Sequence, residues 1–307
     1  MDRRHFLKQV LFWSAGLSTS IPLFKIVPLE AEAKAGAGSS PLVVHAKGKD
    51  YHGLVAKALE PLGGMGKFVR PGARVVIKPN IGWDRKPEQA ANTHPLVVKA
   101  MVEAALAAGA GKVLVFDRTC NEARRCYVNS GIQAALETIG DRRLEFFHPD
   151  ERKFVPVDIE RGKAVHRLDI YKDAVTADVY INVPIAKHHG LARLTMGLKN
   201  SMGVLGGNRG QMHQDIGQKL ADLATVIRPA LTVIDATRIL LANGPQGGDL
   251  ADVKVLDSLV AGIDPVACDA YATTLFGLKP GDIDSTVAAH RAGLGEMDLA
   301  RINIERV

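Results

Sequence analysis

Residues 182–215 concentrate side chains that can carry charge or move protons. They read Asn182-Val-Pro-Ile-Ala-Lys187-His188-His189-Gly190, Leu-Ala-Arg193-Leu-Thr195-Met-Gly-Leu-Lys199-Asn200-Ser201, Met-Gly203-Val-Leu-Gly206-Gly207-Asn208-Arg209-Gly210 and Gln-Met-His213-Gln-Asp215. Three of the ten histidines, four cations and six glycines fall in this stretch. An apolar run over 178–183 leads in, and an amphipathic pattern over roughly 215–228 leads out. A dense polar loop between a strand and a helix is where an α/β sheet holds its ligand.

Each residue type suggests a role. Lys187 with His188, or His189 with Lys199, can hold a carboxylate or a phosphate, and a histidine there can shuttle a proton near neutral pH. Neighbours in an extended segment point to opposite faces, so only one of His188 and His189 can face a given ligand. Gly203, Gly206, Gly207 and Gly210 let backbone N–H groups surround an anion, with Arg209 beside them. Neither the Gly-Lys-Ser/Thr phosphate loop nor the G-x-G-x-x-G dinucleotide turn is present, so neither label follows. His213 and Asp215 share a face only in an extended segment. As metal ligands they need a third partner, with His94, His188, His189 or Asp235 as candidates.

Other strand ends add to the same picture. Lys78-Pro79-Asn80 and Asn92-Thr93-His94-Pro95 frame a long loop, and His94 or Thr93 can cap the helix that follows. Asp117-Arg118-Thr119 and Asp235-Ala-Thr237-Arg238 occupy equivalent places. Lys78, Asn80, His94, Lys187, Asn200, Gly206, Gly207 and Arg209 are thus candidate ligand-binding residues. His188, His189, Lys199 and Asp235 are candidates for catalysis, with Asp235 as orienter or metal ligand. Three strand ends with Lys or Asp/Arg beside a glycine loop form one coherent site.

The elements that must position these residues follow from periodicity. Strands are expected over 42–46, 74–78, 112–116, 144–148, 178–183, 231–234 and 257–263, with an edge strand over 302–304. Helices are expected over 51–62, from 95 to Gly109, over 121–140, 215–228, 264–277 and 284–292. Asp264 is placed as an N-cap, with Pro265 in the first turn. The alternation predicts a single α/β domain over 42–307, with a mostly parallel central sheet, helices on both faces and a small β-rich insertion near 149–177.

Composition narrows the function. Of the 307 residues, 47% are apolar, enough for a large core. Only 5% are aromatic and the net charge of +6 is scattered, which argues against a nucleic-acid surface and favours a cationic pocket for an anionic small molecule. Asp2-Arg3-Arg4-His5-Phe6-Leu7-Lys8, an apolar segment over 10–24 and Ala31-Glu-Ala33 have the layout of a twin-arginine leader over 1–33. Residues 34–41 read as a flexible lead-in. Export as a folded protein by the twin-arginine machinery to the periplasm is expected; the alternative is a membrane anchor formed by an uncleaved leader. Of Cys120, Cys126 and Cys268, only the first two are close enough in sequence to suggest a disulfide.

The chain resembles the domain-of-unknown-function family 362. The match rests on Val76-Ile-Lys78-Pro79-Asn80, Thr93-His94-Pro95, Asn182-Val-Pro-Ile-Ala-Lys187-His188-His189 and Thr195-Met-Gly-Leu-Lys199-Asn200. It continues through Asp235-Ala-Thr237, Gly244-Pro245 and Gly262-x-Asp264-Pro265-Val-Ala-x-Asp269. The resemblance implies no agreed activity. Relatives are often labelled iron–sulfur binding because many continue into a ferredoxin-type domain. This sequence ends at Val307 without those cysteine runs, so no intrinsic iron–sulfur cluster is expected. Two functions are carried forward: an enzyme acting on an anionic small molecule, and a non-catalytic binding or accessory protein for a metal, a cofactor or a separate redox partner.

Overall fold

The computed structural model describes residues 40–307; the leader and most of the lead-in lie outside them. Twelve strands are present among the described residues. The main path of the large sheet runs β12 (Asn303–Arg306), β1 (Leu42–Lys47), β11 (Val253–Gly262), β10 (Leu231–Leu240), β7 (Val179–Val183), β2 (Arg74–Pro79), β3 (Lys112–Val115) and β4 (Leu144–Phe146). From β10 to β4 every junction is parallel, and β1 and β12 are also parallel. β11 alone runs antiparallel to both its neighbours. β8 (Ile185–His189) continues from β7 beyond Pro184, pairs with β10 and makes a hairpin with β9 (Arg193–Thr195).

Strand alternation divides the core. Val75 and Ile77 face one side with α1 (Tyr51–Leu59), α2 (Pro95–Ala107) and α4 (Ile132–Glu137). Val76, Leu114 and Tyr180 face the other, against Met202 and α7 (Ile216–Ala224). Further along the sheet, α8 (Pro265–Thr273) packs Ala267, Ala270 and Tyr271 on Ile234 and Val260. A helix layer on each face buries strands that are apolar on both sides. The insertion is an antiparallel pair, β5 (Phe154–Asp158) with β6 (Arg167–Tyr171), followed by α5 (Lys172–Thr176). Among the described residues no helix is long and apolar enough to cross a membrane.

Three expectations change. The helix expected over 121–140 is two helices, α3 (Ala123–Asn129) and α4, because Gly131 takes a φ of 73° between them. β10 and β11 each run ten residues, so Asp235 lies within a strand and not at its end. Cys120 and Cys126 are both free thiols.

Asp264 caps α8 as its sequence position suggests. Its Oδ1 accepts from the amides of Val266 and Ala267, and its Oδ2 accepts from the amide of Glu296. Asp264→Ala is therefore expected to lower stability by about 1–2 kcal/mol in urea unfolding at neutral pH; an unchanged midpoint would contradict this role.

Candidate functional site

Parallel register brings Lys78 and Asn182 side by side at the ends of β2 and β7. Lys78 has the parity of Val76 and Asn182 that of Tyr180, so both point to the face covered by α6 (Gly197–Asn200). There the Asn200 amide joins them. Its Oδ1 accepts from Lys78 Nζ (3.1 Å) and Asn80 Nδ2 (3.0 Å), and its Nδ2 donates to Asn182 Oδ1 (2.8 Å). Asn182 Nδ2 in turn donates to the Gly197 carbonyl.

The Lys78 ammonium is sealed from solvent and lies 2.7 Å from Asp117 Oδ1. Burial lowers its pKa, and the Asp117 carboxylate opposes that shift. Asp117 Oδ2 accepts from the amide of Ile81. A Cβ at Gly203 would overlap Asp117 Oδ1 and crowd Lys78 Nζ, so a glycine is needed there to admit the pair.

α6 is a single turn and cannot hold itself. The buried carboxylate of Asp269, from α8, accepts from the amides of Gly197 (2.7 Å) and Leu198 (3.0 Å). Burial pushes that carboxyl up to about 7, against the two amide hydrogen bonds. Asp269 thereby fixes the turn that carries Lys199 and Asn200.

Lys187 is 1% exposed and donates to Asn80 Oδ1 (3.2 Å) and to the Ala91 carbonyl. Among the described residues Lys199 Nζ has one hydrogen-bond contact, Met202 Sδ. Among the described residues neither lysine, nor Arg209, has a carboxylate partner; the buried carboxylate at hand, Asp117, is engaged by Lys78. Burial first, then neighbouring cations, bring Lys187 down to about 7 and Lys199 down to about 8, against an opposing pull from Cys120 and, for Lys187, Asp117. His189 shares the β8 face with Lys187 and is almost buried. Burial, then Lys199 and Lys187, hold it down to about 3. The His213 ring stacks on it at 5.7 Å. The Arg209 guanidinium donates to the carbonyls of Arg118 and Thr119 and lies 3.2 Å from Cys120 Sγ, which anchors the loop after β3.

The structure therefore brings together Lys78, Asn80, Lys187, His189, Lys199, Asn200, Arg209 and His213. It places the others elsewhere. His188 points away, its Nδ1 accepting from the Gly244 amide. Asp235 is fully buried with both oxygens occupied, by the His94 amide and by the amide and hydroxyl of Thr237. It ties loops together and leaves no oxygen free for a metal. His94 caps α2 and stacks on Tyr51. Gly206 donates its N–H to Asp169, and Gly207 is exposed with its carbonyl taken by Arg118, so this part of the loop packs against the insertion and does not surround an anion. Asp215 is exposed, and no cluster of three His, Cys, Asp or Glu side chains suited to a metal occurs among the described residues. Asp117, Asn182 and Asp269 are the residues whose roles the sequence left unassigned, and Gly203, expected in an anion loop, instead makes room for the Lys78–Asp117 pair.

The conserved domain matched by residues 75–274 is described as Domain of unknown function (DUF362). The chain belongs to the DUF362 family. It is 33% identical over 249 residues to the thylakoid-associated protein sll1697 of Synechocystis, covering 77% of this chain and 73% of that protein. Among solved structures, the lactate racemase apoprotein of Thermoanaerobacterium thermosaccharolyticum aligns at 14% identity and a TM-score of 0.46, over 72% of this chain and 54% of that one. A Thermotoga maritima protein aligns at 11% and 0.47, over 75% and 60%. The chain thus spans between half and two thirds of those two structures. The DUF362 match includes every lysine of the site.

Lys187 also makes stability depend on pH. Its folded pKa of about 7 lies below the ordinary lysine value, so between the two the unfolded chain holds the extra proton and stability rises with pH. In urea titrations the stability of the wild type relative to Lys187→Met is expected to rise between about pH 7 and pH 9. A difference independent of pH would show that Lys187 keeps its ordinary pKa.

Proposed function

We propose that this DUF362 protein is an exported enzyme that acts on an anionic small molecule held by Lys187, Lys199 and Arg209. One observation carries the reading. Among the described residues a solvent-sealed lysine, Lys187, has no counterion beside it, while Lys78 has already engaged Asp117. Buried charges are normally paired, and a negative ligand would supply the missing partner. The enzymatic part rests on the lowered lysine values: groups that titrate near neutrality are the ones that can exchange protons with a substrate. Of His188 and His189, the one taken into the site is His189, on the same strand face as Lys187.

A non-catalytic carrier is the second reading. Lys187 is held by two hydrogen bonds, to Asn80 and Ala91, which suits static binding as well as catalysis. Location is part of the proposal too. The twin-arginine pattern argues for the periplasm, while the thylakoid association in the name of the Synechocystis relative favours the anchored alternative.

Native mass spectrometry of protein taken from the soluble periplasmic fraction tests these readings together. A stoichiometric anionic adduct is expected on the wild type. It should be lost from Lys199→Ala, with the thermal midpoint shifted by only a few degrees. An adduct unchanged in Lys199→Ala would remove this site from the account. Recovery only in the membrane pellet would replace the soluble form by the anchored one. A released adduct identical to the molecule supplied, after prolonged incubation, would favour the carrier.

A further inference from the structure

The two stacked imidazoles of the site differ in hydrogen-bond polarity, and the backbone sets the difference. His189 Nδ1 lies 3.1 Å from the amide nitrogen of Leu191 and 3.2 Å from that of Ala192. Both amides are donors, so Nδ1 must be the acceptor, and the neutral ring carries its proton on Nε2. Lys187 and Lys199 nearby, together with burial, disfavour a second proton. His189 therefore offers the site a permanent N–H donor and no lone pair. The arrangement at His213 is the reverse. Its Nδ1 lies 3.1 Å from the Gly210 carbonyl, an acceptor, so Nδ1 is the protonated nitrogen and Nε2 presents a lone pair. No group of the protein hydrogen-bonds either Nε2 among the described residues. The rings are 5.7 Å apart and inclined by 21°. The N–H and the lone pair lie in the ring planes, so a ligand meets two such Nε2 atoms from the ring edges and not between the faces, through two of its oxygens. Lys199 is the cation that acts most strongly on both rings.

We propose that His189 and His213 form a polarised pair that selects an anion still carrying a proton. One oxygen of the ligand accepts from His189 Nε2–H, and an O–H of the same ligand donates to His213 Nε2. The ligand class is then a protonated oxyanion, of which hydrogen phosphate or the head of a phosphate monoester retaining one proton is the simplest form. A fully deprotonated anion of equal charge would set an oxygen lone pair against the lone pair of His213, leaving both unsatisfied. In this arrangement His213 is also the residue placed to take the ligand's proton, and His189 can only donate a hydrogen bond. This inference rests on the anion-binding reading above.

Inorganic phosphate and sulfate separate the two. At about pH 8 both are tetrahedral dianions and differ by one O–H. Calorimetric titration of the full chain is expected to give phosphate an affinity at least about tenfold higher than sulfate. His213→Leu should erase that preference with the fold retained by circular dichroism, and His189→Leu should weaken both anions. Equal affinities in the wild type would overturn the polarised pair while leaving the anion site in place. Binding of neither anion would overturn both. Long-range nitrogen–proton NMR correlations provide a second, variant-free readout. They should show a protonated Nε2 in His189 and a protonated Nδ1 in His213, and the opposite tautomers would refute the proposal.

Discussion

The site is organised around one buried ion pair. Lys78 and Asp117 come from the ends of adjacent parallel strands and lie where water does not reach. Two desolvated charges persist only with close geometry and further hydrogen bonds, and removal of either partner typically costs about 3–5 kcal/mol. The surroundings meet much of that demand, with Asp117 Oδ1 left to the ammonium alone. The Asn200 amide and the Pro79 carbonyl accept from the ammonium, the Ile81 amide donates to the carboxylate, and Gly203 leaves the room. These contacts fall on three segments, so the pair sets the positions of Asn80, between Pro79 and Ile81, of the turn holding Lys199 and of the segment leading to Arg209. Lys78 thus belongs to the frame of the site, whereas Lys187 and Lys199 have no carboxylate partner among the described residues.

The same division appears among the carboxylates. Asp235 and Asp269 are both buried and both accept backbone amides from a distant segment. Asp235 holds the amide that begins α2; Asp269 holds the amides that begin α6. Buried carboxylates are often candidates for catalysis, but both oxygens of each are already committed. Around Asn200 the side chains without a carboxylate partner among the described residues are cations and imidazoles. This asymmetry in charge, more than any single side chain, distinguishes the site from an ordinary buried polar network.

Much of this was legible in the sequence. Short apolar runs located the strands, and their C-terminal ends located Lys78, Asp117 and Asn182, because parallel strands with helical crossovers must present those ends together. The alternation rule puts His188 and His189 on opposite faces, and β8 places His189 with Lys187. Other features depend on contacts between distant residues. Nothing local shows that Asp235 sits inside a ten-residue strand that pairs antiparallel with β11, so it read as a strand end. Gly206 and Gly207 resemble an anion loop until the insertion packs on them. Gly203 reads as one glycine among several until Lys78 and Asp117 are seen beside it. The helix break at Gly131 was missed because the apolar spacing continues through it.

The central claim is that Lys187, Lys199 and Arg209 converge on one place where an anion binds. A crystal of the full chain soaked in tungstate, a tetrahedral oxyanion dense enough to be located by anomalous scattering, tests it most directly. The account predicts that the strongest anomalous peak lies among these three side chains, with His189 and His213 against it. Strong peaks confined to surface lysines, with none in the site, would contradict it.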